Sequence, residues 1–257
     1  MLFEFVLRHI EDVQPWGKYP DLSLSWFALT DGFFRIRVGN EYLLHSSNEE
    51  VQKERLRRGC PHPYPLYEAW TDYQVVRLWE DTLESLPSIL QPLPEELCRI
   101  VELDWAENAQ WHERISEHFT CSEQYNAATQ WIGRRDLCSA GAGGGGLDVW
   151  SYGDQVHIRW YDDDNGERRF SHIPRRIFLK EVYSFHDRLM TAMQQRVEAA
   201  LEIDWKSRSV ELDLYALWEE QAERRQWLSR YLNEKIPSSD IEDAVRVLAP
   251  IHYGIRE

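Results

Sequence analysis

The stretch from Leu22 to Ser46, LSLSWFALTDGFFRIRVGNEYLLHS, decides the fold class. Leu22 to Leu29, Phe33 to Val38 and Glu41 to His45 read as strands rich in aromatic and branched residues. Asp31-Gly32 and Gly39-Asn40 between them are two-residue turns whose residues tolerate the left-handed conformation that antiparallel neighbours need. The expectation is a meander. Phe3, Phe5 and Leu7 alternate in the same way upstream, and Pro15-Trp16-Gly17 breaks that strand.

Beyond the meander a polar helix is expected near residues 48–58, followed by the rigid loop CPHPYP at 60–65. From Tyr67 the apolar spacing turns helical, with Trp70, Tyr73, Val76, Leu83 and Leu86 on one side before Pro87. Further helices are expected from Pro94, over 107–119 and over 122–137. Strands return at Leu147 to Tyr152 and Gln155 to Tyr161 around Gly153-Asp154, and Asn165-Gly166 turns the chain into Arg168 to His172. A long helix begins near Pro174, carrying Val182, Phe185, Leu189, Met193, Val197 and Leu201 at intervals of three and four. Helices over 210–232 and 240–248 close the pattern.

The two halves echo each other. TDGFFRIRV at 30–38 stands against YGDQVHIRW at 152–160, and Glu102-Leu-Asp-Trp105 against Glu202-Ile-Asp-Trp205, each tetrad ending a helix. The expected fold is therefore α+β, with two pseudo-repeated subdomains at 1–138 and 139–257, each a small antiparallel sheet packed against long helices.

Between them lies Cys138 to Trp150, CSAGAGGGGLDVW, with a formal G-x-G-x-x-G at Gly141, Gly143 and Gly146. A dinucleotide loop needs a strand before the glycines and a helix after them, so that helix N–H groups meet the pyrophosphate. Here a helix precedes and a strand follows, and no Gly-Lys-Ser/Thr completes a P-loop. A flexible link is expected, and no cofactor. His112 and His118 are six apart, not the four that would place two imidazoles on one helix face for zinc. Asp162-Asp163-Asp164-Asn165-Gly166 superficially resembles a calcium loop, but that register puts Tyr161 where the first carboxylate belongs. No metal is expected, and the three acids read as an exposed hairpin tip. Cys60, Cys98, Cys121 and Cys138 form no C-x-x-C pair and read as reduced, buried thiols.

The chain has 257 residues and a formal net charge of −15, which repels nucleic acid and anionic membrane and speeds encounter with a cationic partner. The start, MLFEFVLRHIEDV, lacks the basic and apolar blocks of a signal peptide, so a cytoplasmic protein is expected. The 12 tryptophans supply core and possible binding anchors alike. Asp104 and Asp204 suggest paired carboxylates, but each sits where Asp caps a following helix while Trp packs beneath it.

Pro15-Trp16-Gly17, LSWFALTDG, YGDQVHIRW and FLKEVYSFHDRLMTAM together resemble an uncharacterised bacterial family labelled as a domain of unknown function. The resemblance runs over most of the chain, with GDxVxIxW and SFxxRLxxAM its most specific pieces. The resembled family is less uniformly glycine ahead of GDxVxIxW. It implies no reaction, cofactor or catalytic set. Its members resemble small, acidic cytoplasmic proteins that serve as immunity partners of secreted toxins.

The expected function is an immunity protein that binds a basic toxin domain and occludes its active site. The candidate partner-binding residues are Asp162, Asp163, Asp164, Asp104, Asp204, Trp105 and Trp205. One alternative is a hydrolase, which needs Asp104, Glu102, Asp204 or Glu202 to converge with a histidine. The other is an adaptor that binds a cellular protein.

Overall fold

The computed structural model describes residues 2–19, 21–43, 70–103, 105–118, 122–137, 147–162, 167–236 and 238–253. In chain order its strands and α-helices are β1 (Phe3–Leu7), β2 (Trp16–Lys18), β3 (Asp21–Ser23), β4 (Asp31–Val38), β5 (Glu41–Leu43), β6 (Thr71–Gln74), α1 (Val75–Leu90), α2 (Glu95–Val101), α3 (Trp105–His118), α4 (Ser122–Gly133), β7 (Asp148–Tyr152), β8 (Gln155–Asp162), β9 (Glu167–Pro174), α5 (Arg175–Leu201), β10 (Val210–Glu211), α6 (Leu214–Arg224), α7 (Trp227–Asn233) and α8 (Ser238–Tyr253). The fold is α+β, with small, mostly antiparallel sheets packed against helices. The helix expected at 48–58, the CPHPYP loop, the glycine run and the Asn165-Gly166 turn lie outside the described residues.

The chain divides into two compact units. The first draws on residues 2–82 and 179–230, the second on 83–137, 147–178 and 231–253.

In the first unit β4 is the central strand, pairing with β1, β5 and β6, all antiparallel. Gly39, at φ +62°, makes the expected two-residue turn between β4 and β5. Gly32 is needed for another reason. A Cβ there would lie 2.4 Å from the Val6 carbonyl oxygen across the sheet. Phe3 stacks on Phe185 with ring centres 5.0 Å apart, and Val182, Phe185, Leu189, Met193 and Val197 are buried as their spacing predicts. Arg8, at the exit of β1, donates to Asp31 at 3.0 Å and to Asp72 at 2.6 Å, tying β1, β4 and β6 together.

The meander differs from its expectation at its first strand. Only Asp21–Ser23 is extended, in a separate sheet where β3 pairs antiparallel with β2 and parallel with β10. The chain then turns through a 3-10 segment, Ala28–Thr30, and Asp31 and Gly32 belong to β4. Hydroxyls win this competition. Ser25 Oγ accepts the Ala28 N–H, and Thr30 Oγ1 donates to the Phe27 carbonyl while accepting the Val76 N–H. The helical spacing read from Tyr67 is also corrected, because Thr71–Gln74 pairs with β4 and the helix starts at Val75. Pro87 does not end α1, which runs to Leu90. Leu83, Leu86 and Ile89 are fully buried, and this packing outweighs the lost backbone hydrogen bond. The helix expected over 210–232 is β10, α6 and α7, with Asp213 capping α6 by accepting the Ala216 N–H at 3.0 Å.

In the second unit β7, β8 and β9 form the antiparallel sheet expected, with Gly153 at φ +57° in the β7–β8 turn. The helix expected to reach Leu137 stops at Gly133, because residues 135–137 instead pair with the start of β7. Leu137 donates to the Leu147 carbonyl, and Val149 to that of Arg135. Leu97, Ile100, Val101, Trp111, Ile115, Trp131, Trp150 and Leu248 form one buried cluster.

Candidate functional site

Two concavities stand out, one in each unit. The first is a groove of about 740 Å³ between the C-terminal end of α5, the turn after it, β3, β10 and the start of α6. Its lining alternates apolar and acidic side chains: Leu22, Leu201, Ile203 and Leu214 against Asp21, Asp204 and Glu211. Lys206 is the one cation among the lining residues.

The second E-[LI]-D-W tetrad builds its floor. As α5 ends, Trp205 folds back, buries its ring and donates its indole N–H to the Ala200 carbonyl at 2.9 Å. Arg208 lies over that ring at 5.3 Å. Asp204 accepts the Ser207 N–H at 3.3 Å, which ties it to the 3-10 turn, while its side chain stays exposed. Ser209 then takes φ +58°, the one positive φ outside glycine among the described residues. This strained residue lines the groove. Leu201 and Leu214 are both more than 40 % exposed and Tyr215 is 77 % exposed, so the apolar wall is open to a partner.

The second concavity is a cleft of about 320 Å³ lined by Glu102, His157, Phe170, Ser171 and His172. His157 and His172 stand directly opposite each other on β8 and β9, their ring centres 6.0 Å apart, and His157 stacks on Trp150 of β7 at 5.5 Å. A row of three rings thus crosses the sheet. Glu102 caps the C-terminus of α2, and arginines of the sheet hold the carbonyls on either side of it. Arg159 donates to the Val101 carbonyl and Arg168 to that of Leu103. Burial pulls the His157 pKa below its usual value; the Glu102 charge opposes this and His172 adds to it. His157 is therefore neutral at pH 7.

The structure brings Asp204 and Trp205 together in the groove. Of the other candidates, Trp105 opens α3 and Asp162 ends β8 opposite Glu167, their side chains lying outside the described residues together with Asp104, Asp163 and Asp164. Asp21, Leu22, Glu211 and Leu214 were not read as site residues. The signal for two of them, Glu211 and Leu214, lies in LEIDWKSRSVELDLY at 201–215, where acids alternate with apolar residues. Among the described residues no group of three His, Cys, Asp or Glu has the geometry to hold a metal ion, and no helix is long and apolar enough to cross a membrane.

Residues 2–247 match the model of a family of unknown function, DUF5984. The chain belongs to DUF5984. No curated protein and no solved structure gives a significant match to this DUF5984 member. Its chemistry is therefore read from the two concavities.

Proposed function

We propose that this DUF5984 protein binds a cationic protein partner in the groove beside Trp205, and that the partner is a bacterial toxin domain whose active site it occludes. The observation that carries the reading is the groove's composition: Asp21, Asp204 and Glu211 around an apolar wall, with Lys206 the single opposing charge in the lining. A basic surface gains there twice. The field of a chain with net charge −15 speeds its approach, and Leu201, Leu214 and Tyr215 offer apolar contact once it docks. The acids at 162–164 add to the field in the same sense. An active site that handles phosphate or nucleic acid is cationic, which is the chemistry such a groove complements.

The hydrolytic alternative asks for a carboxylate coupled to an imidazole. Asp204 is spent on the turn at Ser207. Glu102 shares a cleft with His157 and His172, but no hydrogen bond joins it to either ring among the described residues. The geometry favours binding over proton transfer.

Co-expression with the polypeptide encoded by the adjoining gene tests the proposal. A complex that purifies intact, together with protection of cells from that polypeptide, supports it. A complex without toxicity or protection points to the adaptor reading, and neither complex nor protection removes the proposal.

A further inference from the structure

We propose that the cleft of the second unit is a binding site for a small organic cation, a primary ammonium or guanidinium group, held by the Glu102 carboxylate between the rings of His157, His172 and Phe170. This site is separate from the groove of the first unit and does not depend on its function.

The charge balance of the lining selects a cation. Glu102 supplies one negative charge, and its carboxylate has no hydrogen-bond or ion-pair partner among the described residues. The nearby cations are already engaged. Arg159 is 95 % buried and donates to Asp148 and to the Val101 carbonyl, and Arg168 donates to the Leu103 carbonyl at 2.9 Å. Those same bonds fix the last turn of α2 over the sheet, so the backbone of Glu102 is held beside the ring row and its exposed carboxylate is open to a ligand. Preorganisation of this kind reduces the entropy a ligand must overcome.

The walls suit the same ligand. Neutral imidazoles each present an acceptor nitrogen as well as a π face, and half-exposed Phe170 adds a second type of ring face. The position of Phe170 is set by the sheet, since it pairs with Arg159 and lies two residues from His172 on the same strand face. A volume of about 320 Å³ is at the lower end of small-molecule sites and accommodates an alkylamine or alkylguanidine chain.

Acid should empty the site. Protonating His157 replaces an acceptor by a cation beside the ligand's own charge. The groups that face His157 and His172 are Glu102 from α2, Asp148, Trp150 and Tyr152 from β7, Arg159 from β8, and Arg168 and Phe170 from β9, and only Glu102 among them carries an unpaired negative charge. Affinity is therefore highest with the His157 ring neutral and falls as pH drops below 6.5, the unperturbed histidine value.

Agmatine, which carries both groups, is the probe, with putrescine as the pure ammonium, 1,4-butanediol as the neutral control and succinate as the anionic control. Imidazole NMR resonances of the full chain are followed at pH 7.5. The expected result is a saturable shift of the His157 and His172 signals with agmatine, a smaller one with putrescine and none with the controls. E102Q, whose side chain makes no described contact, should keep the native spectrum and weaken agmatine about tenfold or more, while D21K in the other unit leaves it unchanged. A shift with succinate, equal binding by E102Q, or no saturable shift with either cation overturns the proposal.

Discussion

Trp26 donates its indole N–H to Oε1 of Gln221 at 2.7 Å across 195 positions of chain, and both side chains are buried. The amide nitrogen of Gln221 in turn donates to the Met190 carbonyl at 3.0 Å. One glutamine thus satisfies a donor from the turn before β4 and an acceptor on α5. Gln221→Ala strands the Trp26 indole N–H in the core, at a cost of about 1–3 kcal/mol, while the Met190 carbonyl keeps its place in the helix ladder. Urea unfolding should show the midpoint falling without loss of cooperativity. An unchanged midpoint would mean that water or a neighbour replaces the amide.

Arg224 joins two carboxylates and tryptophan rings of the first unit. It donates to Glu80 at 2.6 Å and to Glu220 at 2.9 Å, and its guanidinium lies 4.5 Å from the Trp26 ring centre and 4.7 Å from that of Trp227. Glu80→Ala removes the buried partner and leaves the cation under-compensated, a loss of about 3–5 kcal/mol. Arg224→Lys keeps the charge but loses the planar fork and the ring stacking, and it too should destabilise measurably. Calorimetry of both variants checks this, with wild-type stability in either one counting against these pairings.

Arg135 presents the opposite case. Only 3 % exposed, it donates Nη1 to the Trp131 carbonyl at 2.5 Å, while Nε and Nη2 have no partner and no carboxylate pairs with it among the described residues. Burial, reinforced by Arg134, pulls its pKa down to about 10, and burial pushes the neighbouring Cys98 thiol up to about 12. An uncompensated buried guanidinium carries a desolvation cost that an apolar chain of similar length does not, so the replacement is neutral or stabilising. Arg135→Met should therefore raise or preserve the melting temperature. A clear fall would show that the guanidinium is compensated in solution by an anion.

Stability should also fall in mild acid. His186 accepts the Trp79 indole N–H at Nδ1, 3.2 Å away, which requires the neutral ring. Burial lowers its pKa, with Asp187 and the Arg225 backbone opposing and the Arg225 charge assisting. Burial lowers His112 and His157 too. A folded-state pKa below the unfolded 6.5 means that the unfolded chain binds protons first, so the stability these rings contribute is complete above about pH 7 and declines as pH falls through 6.5 towards the folded pKa. Urea midpoints at pH 7.5 and pH 5.5 test the sign, and His186→Phe should flatten the difference.

Where the sequence pattern was local, it was readable. The α5 spacing from Val182 to Val197, the Gly39-Asn40 and Gly153-Asp154 turns and the strands of 148–174 follow from side-chain period and glycine placement alone. The errors arose where tertiary partners overrode local preference. Thr71–Gln74 carries a helical apolar spacing but completes the β4 sheet, and Leu24 to Thr30 is turned by hydroxyl bonds that no hydrophobic pattern announces. The groove was half legible for a similar reason. Asp204 and Trp205 are conspicuous in a repeated tetrad, whereas Asp21 and Leu22 reach the same place only because β3 pairs in parallel with β10, 188 positions later. The facing of His157 and His172 with Glu102 depends on strand register and on two arginines holding α2, which a linear reading does not supply.

The most direct test of the central claim is titration calorimetry with the polypeptide of the adjoining gene at about 0.05 M and about 0.5 M salt, comparing the wild type with the D21K/E211K variant. Both substituted side chains line the groove and are exposed, so the fold should be retained. The account predicts binding by the wild type that weakens strongly with salt, and loss of about a hundredfold in affinity, with a shallower salt dependence, in the variant. Equal affinity of the two proteins at both salt concentrations would contradict it.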